Sequence, residues 1–345
     1  MAGFRINMYV YKPHIFSFSH RNTNLLCFSL TYPQNCSPML QAHQYQLRQG
    51  HRRVSARSIL AHFGFEFSDD YRLGCGHYSK VYKGYFKEAQ RTFAIKVTDL
   101  ESVSEKFKQK FLPRELRVWR ELDHPNLVYL YNDFQWSDYQ FVVMELAVGG
   151  DLLSFLQKSG PVSETTCHNW MLQIVAALDY LHRKGIAHRD LKLENVLLCE
   201  NGVIKVTDYG FSKQSSDLSS TFCGSRSYSS PEILLGIAYD MFKSDIWSLG
   251  VTAFIMITNT MPFHEDLPNQ QIVDSQRKRR YKYPSWLNIT KQCRTAIDAL
   301  LTYQPAFRPN IFECAKLEWF AQDSASLWCG GRRAGVGVMG QVRGR

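Results

Sequence analysis

The stretch from His188 to Asn195, with the sequence HRDLKLEN, contains the residue types that phosphoryl transfer requires, and Asp208 follows a short distance downstream. Such a reaction needs positioning and neutralisation of charge more than covalent chemistry by the protein. Asp190 is predicted to orient a substrate hydroxyl and accept its proton, and Lys192 to neutralise charge on the transferred phosphoryl group. Asn195 and Asp208 are predicted to hold the magnesium ions that bridge the phosphates of a nucleoside triphosphate. The alternative is a loop whose charges are grouped by chance, and the second motif at Asp208 argues against it.

A glycine-containing stretch upstream is predicted to close over these phosphates. Gly74 and Gly76 lie between two predicted strands, where the absence of a Cβ lets backbone N–H groups approach an anion. Ser79 stands where such loops usually have a third glycine, so the stretch alone is equally consistent with a plain hairpin turn. The spacing to Val81, Ala94 and Lys96 favours the nucleotide-covering loop. The contacts predicted in this stretch are Leu73, Gly74, Cys75, Gly76, His77, Tyr78, Ser79, Lys80 and Val81.

Lys96 lies between apolar residues on a predicted interior strand. A buried lysine needs a partner of opposite charge, or it loses its proton. Glu115 on the following helix is the candidate partner, and together they would hold the α- and β-phosphates. The alternative is a lysine at a strand edge that extends to solvent.

Three further residues are predicted to have structural roles. Glu232 closes the segment that Asp208 opens, and Arg308 lies far downstream. The two are expected to form a buried ion pair that anchors the substrate-binding loop, and loss of either partner would cost about 3–5 kcal/mol. Asp245, at the start of an apolar segment, is expected to cap a buried helix and brace the backbone of the catalytic loop.

The excess of positive charge lies in the two ends of the chain. The chain has 345 residues, of which 45% are hydrophobic and 14% aromatic, enough for one two-lobed unit or two domains. The formal net charge is +10, but residues 1–65 and 324–345 contain Lys and Arg without any Asp or Glu. The central region is therefore close to neutral, which argues against a nucleic-acid-binding core.

Cysteine usage and hydropathy predict a cytoplasmic protein that also has access to the nucleus. The 9 cysteines are irregularly spaced without a Cys-x-x-Cys pair, which disfavours a zinc site and fits reduced thiols. No secretory segment or membrane-spanning run is predicted. An organelle transit peptide is the alternative for the acid-free N-terminal region, which lacks clear helical amphipathicity.

Regular structure is predicted to begin at Tyr71. Residues 1–65 show no sustained period and are predicted to be mostly disordered, with a short helix around Val54–Phe63. A helix is predicted from Pro113 to Leu122. The predicted strands of a five-stranded sheet, rich in β-branched and aromatic residues, are Tyr71–Leu73, Val81–Phe86, Thr92–Val97, Leu127–Tyr131 and Gln140–Leu146.

The chain after the hinge at Gly149-Gly150 is predicted to be mainly helical. From Ser163 to Arg183 the apolar residues fall on one face, and Gly185 ends the helix. The segment Ile246–Ile257 is apolar almost all round and is expected to be buried on every side. The Gly- and Arg-rich residues 323–345 are predicted to be disordered.

In the order and spacing of these motifs, residues from about 71 to 320 resemble a eukaryotic protein kinase. Lys192 is typical of serine/threonine kinases, whereas tyrosine kinases usually carry Ala-Ala-Arg there. The chain departs from the usual pattern at Leu193, Tyr209 and Ser230, where Pro, Phe and Ala are usual. The stretches that resemble the testis-specific serine/threonine kinases, of the calmodulin-dependent kinase group, are Phe111–Glu115, Thr221–Ser225, Pro231-Glu232 and Gly236–Tyr239.

The resemblance implies an α+β, bilobal fold for a kinase domain at residues 66–322. A small five-stranded antiparallel N-lobe with one main helix (about 71–144) would precede a larger helical C-lobe (about 145–321). The implied activity is transfer of the γ-phosphate of ATP to serine or threonine in proteins, with Mg²⁺. Met144 would lie at the back of the adenine pocket, with the backbone of Glu145 and Ala147 bonding the base and Asp151 meeting the ribose. Ala94 and Leu197 complete the implied nucleotide contacts.

The resemblance also implies control through the segment that begins at Asp208. Thr221 is the implied phosphorylation site, because a phosphate would provide the counter-charge for Arg189 and Lys213. Ser219 and Ser220 are the alternative acceptors. The donor would be an activating kinase or a second copy of this chain acting in trans.

Protein substrates with Arg a few residues before the acceptor are the implied partners. Asp151 and Glu194 match the family positions that meet such a guanidinium, and the position of a third acid falls on Ile255. By resemblance, the role would be in germ-cell differentiation or spermatogenesis. A pseudokinase scaffold is the main alternative, and a nucleic-acid-binding protein the third, while no membrane partner is expected.

Overall fold

The computed structural model describes residues 53–67, 71–76 and 78–321. Apart from Arg53, these belong to one compact unit that begins at Val54. His77 lies outside the described residues, as do the tail 323–345 and most of the segment 1–65, so the predictions for them stay predictions. Within the described ranges, no helix is long and apolar enough to cross a membrane.

The N-terminal lobe is built on one curled antiparallel sheet, which has the order β1-β3-β4-β6-β5 with β2 paired to β3. The five predicted strands are present within a few residues of their predicted positions. A sixth, the two-residue β1, extends the sheet by pairing Phe65 with Phe86. The strands are β1 Phe65–Glu66, β2 Arg72–Cys75, β3 Ser79–Phe86, β4 Arg91–Asp99, β5 Leu130–Trp136 and β6 Tyr139–Met144.

The folded chain begins before the predicted boundary at residue 66. Helix α1, Ala56–His62, follows Ser55, whose hydroxyl accepts the N–H of Ser58 as an N-cap. Leu60 is fully buried in it, although the segment is too short to show a hydrophobic period. The short helix predicted around Val54–Phe63 is therefore present, within the segment 1–65 that was predicted to be mostly disordered.

Helix α2, Leu112–Arg120, crosses the sheet between β4 and β5 and begins with Pro113 in its first turn. A single π-helical turn, Phe107–Phe111, leads into it. Leu112, Leu116 and Trp119 are buried on its inner face. This face holds Glu115 towards β4.

The C-terminal lobe is helical, and its most buried long helix is α6, Met241–Thr258. This helix has Asp240 as its N-cap, and most of its residues are buried, as its all-round apolar sequence predicts. Two small two-stranded sheets lie in the chain between residues 186 and 214. One pairs β7 with β10, and the other pairs β8 with β9. The principal helices are α3 Leu152–Ser159, α4 Glu164–Arg183, α5 Pro231–Leu234, α6 Met241–Thr258, α7 Asn269–Arg277, α8 Lys291–Leu300, α9 Ile311–Cys314 and α10 Glu318–Ala321. The short strands are β7 Ile186–Ala187, β8 Val196–Leu198, β9 Ile204–Val206 and β10 Lys213–Gln214.

Candidate active site

A cavity of about 630 Å³ opens between the sheet and the C-terminal lobe. Its walls include residues from β2, β3, β4, the chain after β6, β8 and the segment at Asp208. The predicted nucleotide and metal contacts that line it are Leu73, Gly74, Cys75, Gly76, Ser79, Val81, Ala94, Lys96, Met144, Glu145, Ala147, Asp151, Asn195, Leu197 and Asp208.

Tyr78 and Lys80 do not line this cavity. Side chains alternate along a strand, so Lys80 points away from the side that Ser79 and Val81 face. The Tyr78 ring packs on Phe107, with centroids 4.9 Å apart. The nucleotide contacts predicted for Tyr78 and Lys80 stay predictions, and they would be made through the backbone groups of the loop.

Lys96 reaches Glu115 across the cavity wall, with Nζ 2.6 Å from Oε1. Burial alone would lower the pKa of Lys96, but the charges of Glu115 and Asp208 and the hydrogen bond to Glu115 outweigh it and raise that pKa. The lysine therefore keeps its proton in a buried position. The predicted partner is the observed one.

Ser225 connects Asp190 with Lys192. Its backbone N–H and its hydroxyl both donate to Asp190 Oδ1, at 2.9 and 3.1 Å, and it accepts from Lys192 Nζ at 2.7 Å. Asn195 Nδ2 donates to the backbone oxygen of Asp190 at 2.8 Å and to Oδ2 at 3.1 Å. Lys192 Nζ also lies 3.1 Å from Asp190 Oδ2, so Ser225, Asn195 and Lys192 all hold the carboxylate. Ser225 was not singled out in the sequence, because nothing local indicates that it returns to the catalytic loop.

Gly224 allows this close approach. Its φ is +85°, and an added Cβ would lie 2.6 Å from the backbone oxygen of Arg189 and 3.4 Å from Asp190 Oδ1. Any side chain here would move the segment at Ser225 away from Asp190.

Asp245 supports the backbone of the catalytic loop, residues 188–195. Its two oxygens accept the backbone N–H groups of His188 and Arg189, each at 2.8 Å, and Oδ2 also contacts His182 Nε2 at 2.9 Å. The predicted cap was wrong, since Asp240 caps α6 and Asp245 lies inside the helix. The brace also holds Arg189 in the left-handed region at φ 69°.

Asp208 lies at the cavity wall with φ 66°, and its Oδ1 accepts the N–H of Gly210 at 3.2 Å. The described residues contain no cluster of three or more His, Cys, Asp or Glu that could hold a metal alone. One carboxylate and the amide of Asn195 fit Mg²⁺, which commonly takes its other ligands from water and phosphate oxygens.

Arg189 also contacts the segment that follows Asp208. Its guanidinium donates to the backbone oxygens of Phe211 and Thr221 at 3.3 Å each, and to the hydroxyl of Tyr239 at 3.2 Å. Thr221 is exposed, whereas Ser219 is buried against the same guanidinium. Lys213 pairs through its backbone with Ala187 in the β7–β10 sheet.

Arg114 is a cation that the sequence prediction missed. It projects from α2 and donates to the backbone oxygen of Gly210 at 3.2 Å. Burial, and next the nearby charge of Arg189, lower the pKa of Arg114. The Nε atoms of Arg114 and Arg189 are both buried, and neither has a partner within the part of the chain that the structure describes. Two positive side chains therefore contact the segment from Asp208 to Glu232, here called the activation segment, and each has one buried N–H without a partner in the described residues.

Arg308 and Glu232 form the expected ion pair. Two guanidinium nitrogens contact the two carboxylate oxygens at 2.8 and 3.2 Å, with side chains 0% and 4% exposed. The pair joins the end of the activation segment to the C-terminal helices. A bidentate geometry with both groups buried makes removal of one partner costly.

Asp151 and Glu194 both line the cavity. Asp151 also caps α3, accepting from the N–H and the hydroxyl of Ser154 at 2.8 and 2.7 Å. Glu194 is exposed at the opening, and Ile255 is buried in α6.

Residues 67–320 match the family model for the protein kinase domain. Testis-specific serine/threonine-protein kinase 3 of Mus musculus is 39% identical over 267 residues, which cover 74% of this chain and 98% of that protein. Testis-specific serine/threonine-protein kinase 4 of Homo sapiens is 32% identical over 280 residues, covering 76% of this chain and 84% of that protein. Serine/threonine-protein kinase kin-29 of Caenorhabditis elegans is 35% identical over 249 residues, covering 72% and 30% of the two chains.

The fold and these sequence similarities indicate the same class of protein. The bilobal α+β fold matches the family, and the more similar relatives are testis-specific kinases. This chain belongs to the protein kinase family, as a serine/threonine protein kinase most similar to the testis-specific serine/threonine kinases.

Proposed function

We propose that the chain transfers the γ-phosphate of ATP to protein serine and threonine at the cavity between the lobes, under control of Thr221. The observation that carries this proposal is the convergence of Lys96, Asn195 and Asp208 on one cavity. Glu115 is paired with Lys96, and Asp190 accepts a hydrogen bond from Asn195. All these side chains are held by contacts with the protein, so the geometry needs little reorganisation for transfer.

Each of these residues would have a separate role in the reaction. Lys96 would hold the α- and β-phosphates, and Asn195 and Asp208 would hold Mg²⁺, which when bound neutralises charge on the phosphates. Asp190, fixed by Ser225, would orient the substrate hydroxyl and take its proton. The hydroxyl oxygen then bonds to the γ-phosphorus while the bond to the β,γ-bridging oxygen breaks, and ADP leaves. Lys192, already at Ser225, would neutralise the transferred group.

A scaffold that binds partners without catalysis is the alternative. Incubation with radiolabelled ATP and a mixed protein substrate, followed by phosphoamino-acid analysis, separates the two. We expect label on phosphoserine and phosphothreonine. Nucleotide binding without labelled protein would favour the scaffold.

Phosphorylation of Thr221 is proposed to order the activation segment. A phosphate would provide nearly two negative charges opposite Arg189 and Arg114, whose buried Nε atoms have no partner in the described residues. Lys213, predicted from the sequence, is kept as a third cation in the proposal. The exposure of Thr221 supports access by an activating kinase or a second copy of the chain.

The test compares Thr221→Ala with wild type after phosphatase treatment and re-incubation with ATP. We expect wild type to regain activity and the variant to stay low. Ser220→Ala, an exposed neighbour, is the matched control and should behave as wild type. Full activity of Thr221→Ala would remove the switch.

A preference for Arg a few residues before the acceptor is proposed from Asp151 and Glu194 at the opening of the cavity. Ile255 gives no third charge, so one Arg should suffice. A peptide array should select one upstream Arg, with a weaker preference in Glu194→Gln. Selection of acidic or proline-directed sequences would refute the proposal.

A role in germ-cell differentiation is proposed from the relatives named testis-specific kinases. Location in the cytoplasm with access to the nucleus is proposed from the six free cysteines in the described part of the chain. Fractionation of testis and other tissues with an antibody to this chain tests both. Absence of the protein from germ cells, or its recovery only from a secretory fraction, would contradict them.

A further inference from the structure

Ser55 stands immediately before α1, and two arginines precede it in the sequence. Arg52 and Arg53 lie three and two residues before it, and Ser55 is the one Ser or Thr of the whole sequence with Arg at both positions. This motif precedes the region 67–320 that the family model matches. It is therefore a feature of this chain outside the region that the family model describes.

The motif fits the substrate preference proposed above. Asp151 and Glu194 line the opening of the cavity, and two carboxylates there suit a guanidinium that precedes the acceptor by a few residues. Thr221 offers no such group, because residues 214–220 contain no Lys or Arg. By charge, Ser55 therefore matches the site of this chain better than Thr221 does.

Ser229 is the other Ser or Thr of the sequence with Arg three residues before it, since Arg226 holds that position. The fold makes Ser229 inaccessible: it is 4% exposed, and its hydroxyl donates to the backbone oxygen of Ser225 at 3.2 Å. Ser55, in contrast, is exposed, and its backbone is extended at φ −74° and ψ 149°. Its hydroxyl is accessible to a second molecule.

The first turn of α1 can open without unpacking the rest of the helix. Ser55 accepts the N–H of Ser58 at 3.1 Å, and the two hydroxyls lie 2.9 Å apart. Arg57 and Ser58 are exposed, whereas Ile59 and Leu60, which follow them, are buried. The end of a helix opens at little cost in free energy, so Ser55 can leave its cap while Leu60 stays packed.

We propose that Ser55 is a phosphorylation site, modified by a second copy of this chain acting in trans. This inference rests on the phosphotransfer function and the Arg preference proposed above. The hydroxyl oxygen of Ser55 bonds to the γ-phosphorus of the ATP held by the other copy, while the bond to the β,γ-bridging oxygen breaks. The catalytic carboxylate of that copy takes the hydroxyl proton, and ADP leaves.

A phosphate on Ser55 would strengthen the cap of α1. The first turn of this helix contains no acidic residue. Charged phosphoryl oxygens accept the N–H of Ser58 more strongly than a hydroxyl does, and the exposed Arg57 in the same turn provides a counter-charge. The amide hydrogens of α1 should therefore exchange about two- to fivefold more slowly after phosphorylation.

The test uses full-length Asp190→Asn protein as the substrate of wild type, with radiolabelled ATP. Because this variant is expected to transfer little phosphate itself, its label reports transfer in trans. We expect phosphopeptide mapping to find label on Ser55. Replacing both Arg52 and Arg53 by Ala in the substrate should lower that label about tenfold, through loss of charge-assisted contacts. Arg48→Ala, seven residues before Ser55, is the matched control and should leave the label unchanged.

Three further substrates locate the label. Ser55→Ala should lose it, and Ser58→Ala, at an exposed serine of the same turn, should keep it. Ser55→Thr keeps both a hydroxyl and an N-cap, so it should again be labelled. Label on Ser55→Thr with none on Ser55→Ala shows that the acceptor is lost, and not the fold of α1.

No label at Ser55, or label that loss of both arginines leaves unchanged, overturns the proposal. A peptide with one upstream Arg is incubated with wild type in parallel. If wild type labels the peptide and not Ser55, this inference alone fails, and if it labels neither, the proposed function fails as well. Amide exchange in α1 that is equal or faster after phosphorylation would overturn the strengthened cap.

Discussion

Lys96 keeps its charge in a buried place because carboxylates lie close to it. Burial is the largest single influence and lowers the pKa of Lys96, but Glu115 and Asp208 together raise it above the ordinary value of 10.5. A raised pKa means that the charged form is favoured by folding at all pH values below 10.5. This contribution is lost only as pH rises through the raised pKa.

Glu115→Gln should move the alkaline loss of activity to lower pH. With its nearest counter-charge removed, burial is less opposed, so the pKa of Lys96 falls and the lysine loses its proton earlier. The measurement is kcat/KM for ATP from neutral pH to 10.5. Glu121→Gln, at the exposed end of α2, should leave the profile unchanged. An alkaline limb at the same pH in Glu115→Gln and wild type would contradict this account of Lys96.

Asp208→Asn should abolish most magnesium-dependent transfer while the protein stays folded. A neutral amide is a much poorer ligand for Mg²⁺ than a carboxylate, so we expect kcat to fall about a hundredfold or more. Asp217→Asn, an exposed residue of the same segment, is the control and should retain activity. Near wild-type transfer by Asp208→Asn, at any magnesium concentration, would show that Asp208 is not a metal ligand.

At the scale of elements, α1 and β1 add aromatic packing to the N-terminal lobe. Phe63 packs on Phe134 and Trp136, with centroids 5.0 and 5.3 Å apart, and Phe65 packs on Phe86 at 4.7 Å. Phe63 and Phe65 precede the region 67–320 that the family model matches. The segment thus extends the N-terminal lobe beyond the region that the family model matches.

Leu60→Ala should destabilise the protein by about 2–5 kcal/mol, because Leu60 is fully buried and its removal leaves a cavity. Arg57→Ala, on the exposed side of the same helix, should change stability by no more than about 0.5 kcal/mol. Urea unfolding of the full chain measures both. Equal effects of the two substitutions would show that α1 does not pack on the sheet in solution.

The sequence predicted those elements whose pattern is long enough to read. The helix predicted at Ser163–Arg183 is α4, Glu164–Arg183, with Ser163 as its cap. The short helix predicted around Val54–Phe63 is α1, Ala56–His62. The two-residue strand β1 was missed, because it shows no period and pairs with the distant residues Tyr85 and Phe86. The cap of α6 was assigned to Asp245 because this residue opens the apolar run, but the helix begins four residues earlier with Asp240 as its cap. The contacts of Asp245 with the catalytic loop were predicted and are observed.

Within the site, residue types and spacing predicted the reacting side chains, but they did not predict the residues that hold those side chains in place. Lys96 and Glu115 were paired correctly from burial and charge. Ser225 and Arg114 were missed, because each acts across the fold on a group that its own neighbours in sequence do not indicate. These supports decide how firmly the reacting groups are held.

For the molecule as a whole, contacts from three regions meet at the interlobe cavity. The sheet and α2 provide Lys96 and Glu115, while Asp245 in α6 supports the loop that carries Asp190. The activation segment closes the site through Ser225 and is anchored at its far end by the buried Glu232 pair. Replacing Asp190 by Asn exchanges one carboxylate oxygen for an amide nitrogen, and this substitution tests the central claim.

The measurement is single-turnover transfer of radiolabelled phosphate from ATP to a protein substrate by wild type and Asp190→Asn. The amide cannot accept the proton of the substrate hydroxyl, so we expect the transfer rate to fall by about 10²–10⁴-fold, with ATP affinity unchanged. Asp274→Asn, a surface residue paired only with Arg and Lys side chains on its own helix and the turn that follows, is the control and should match wild type. Equal transfer rates for Asp190→Asn and wild type would contradict the catalytic role assigned to this site.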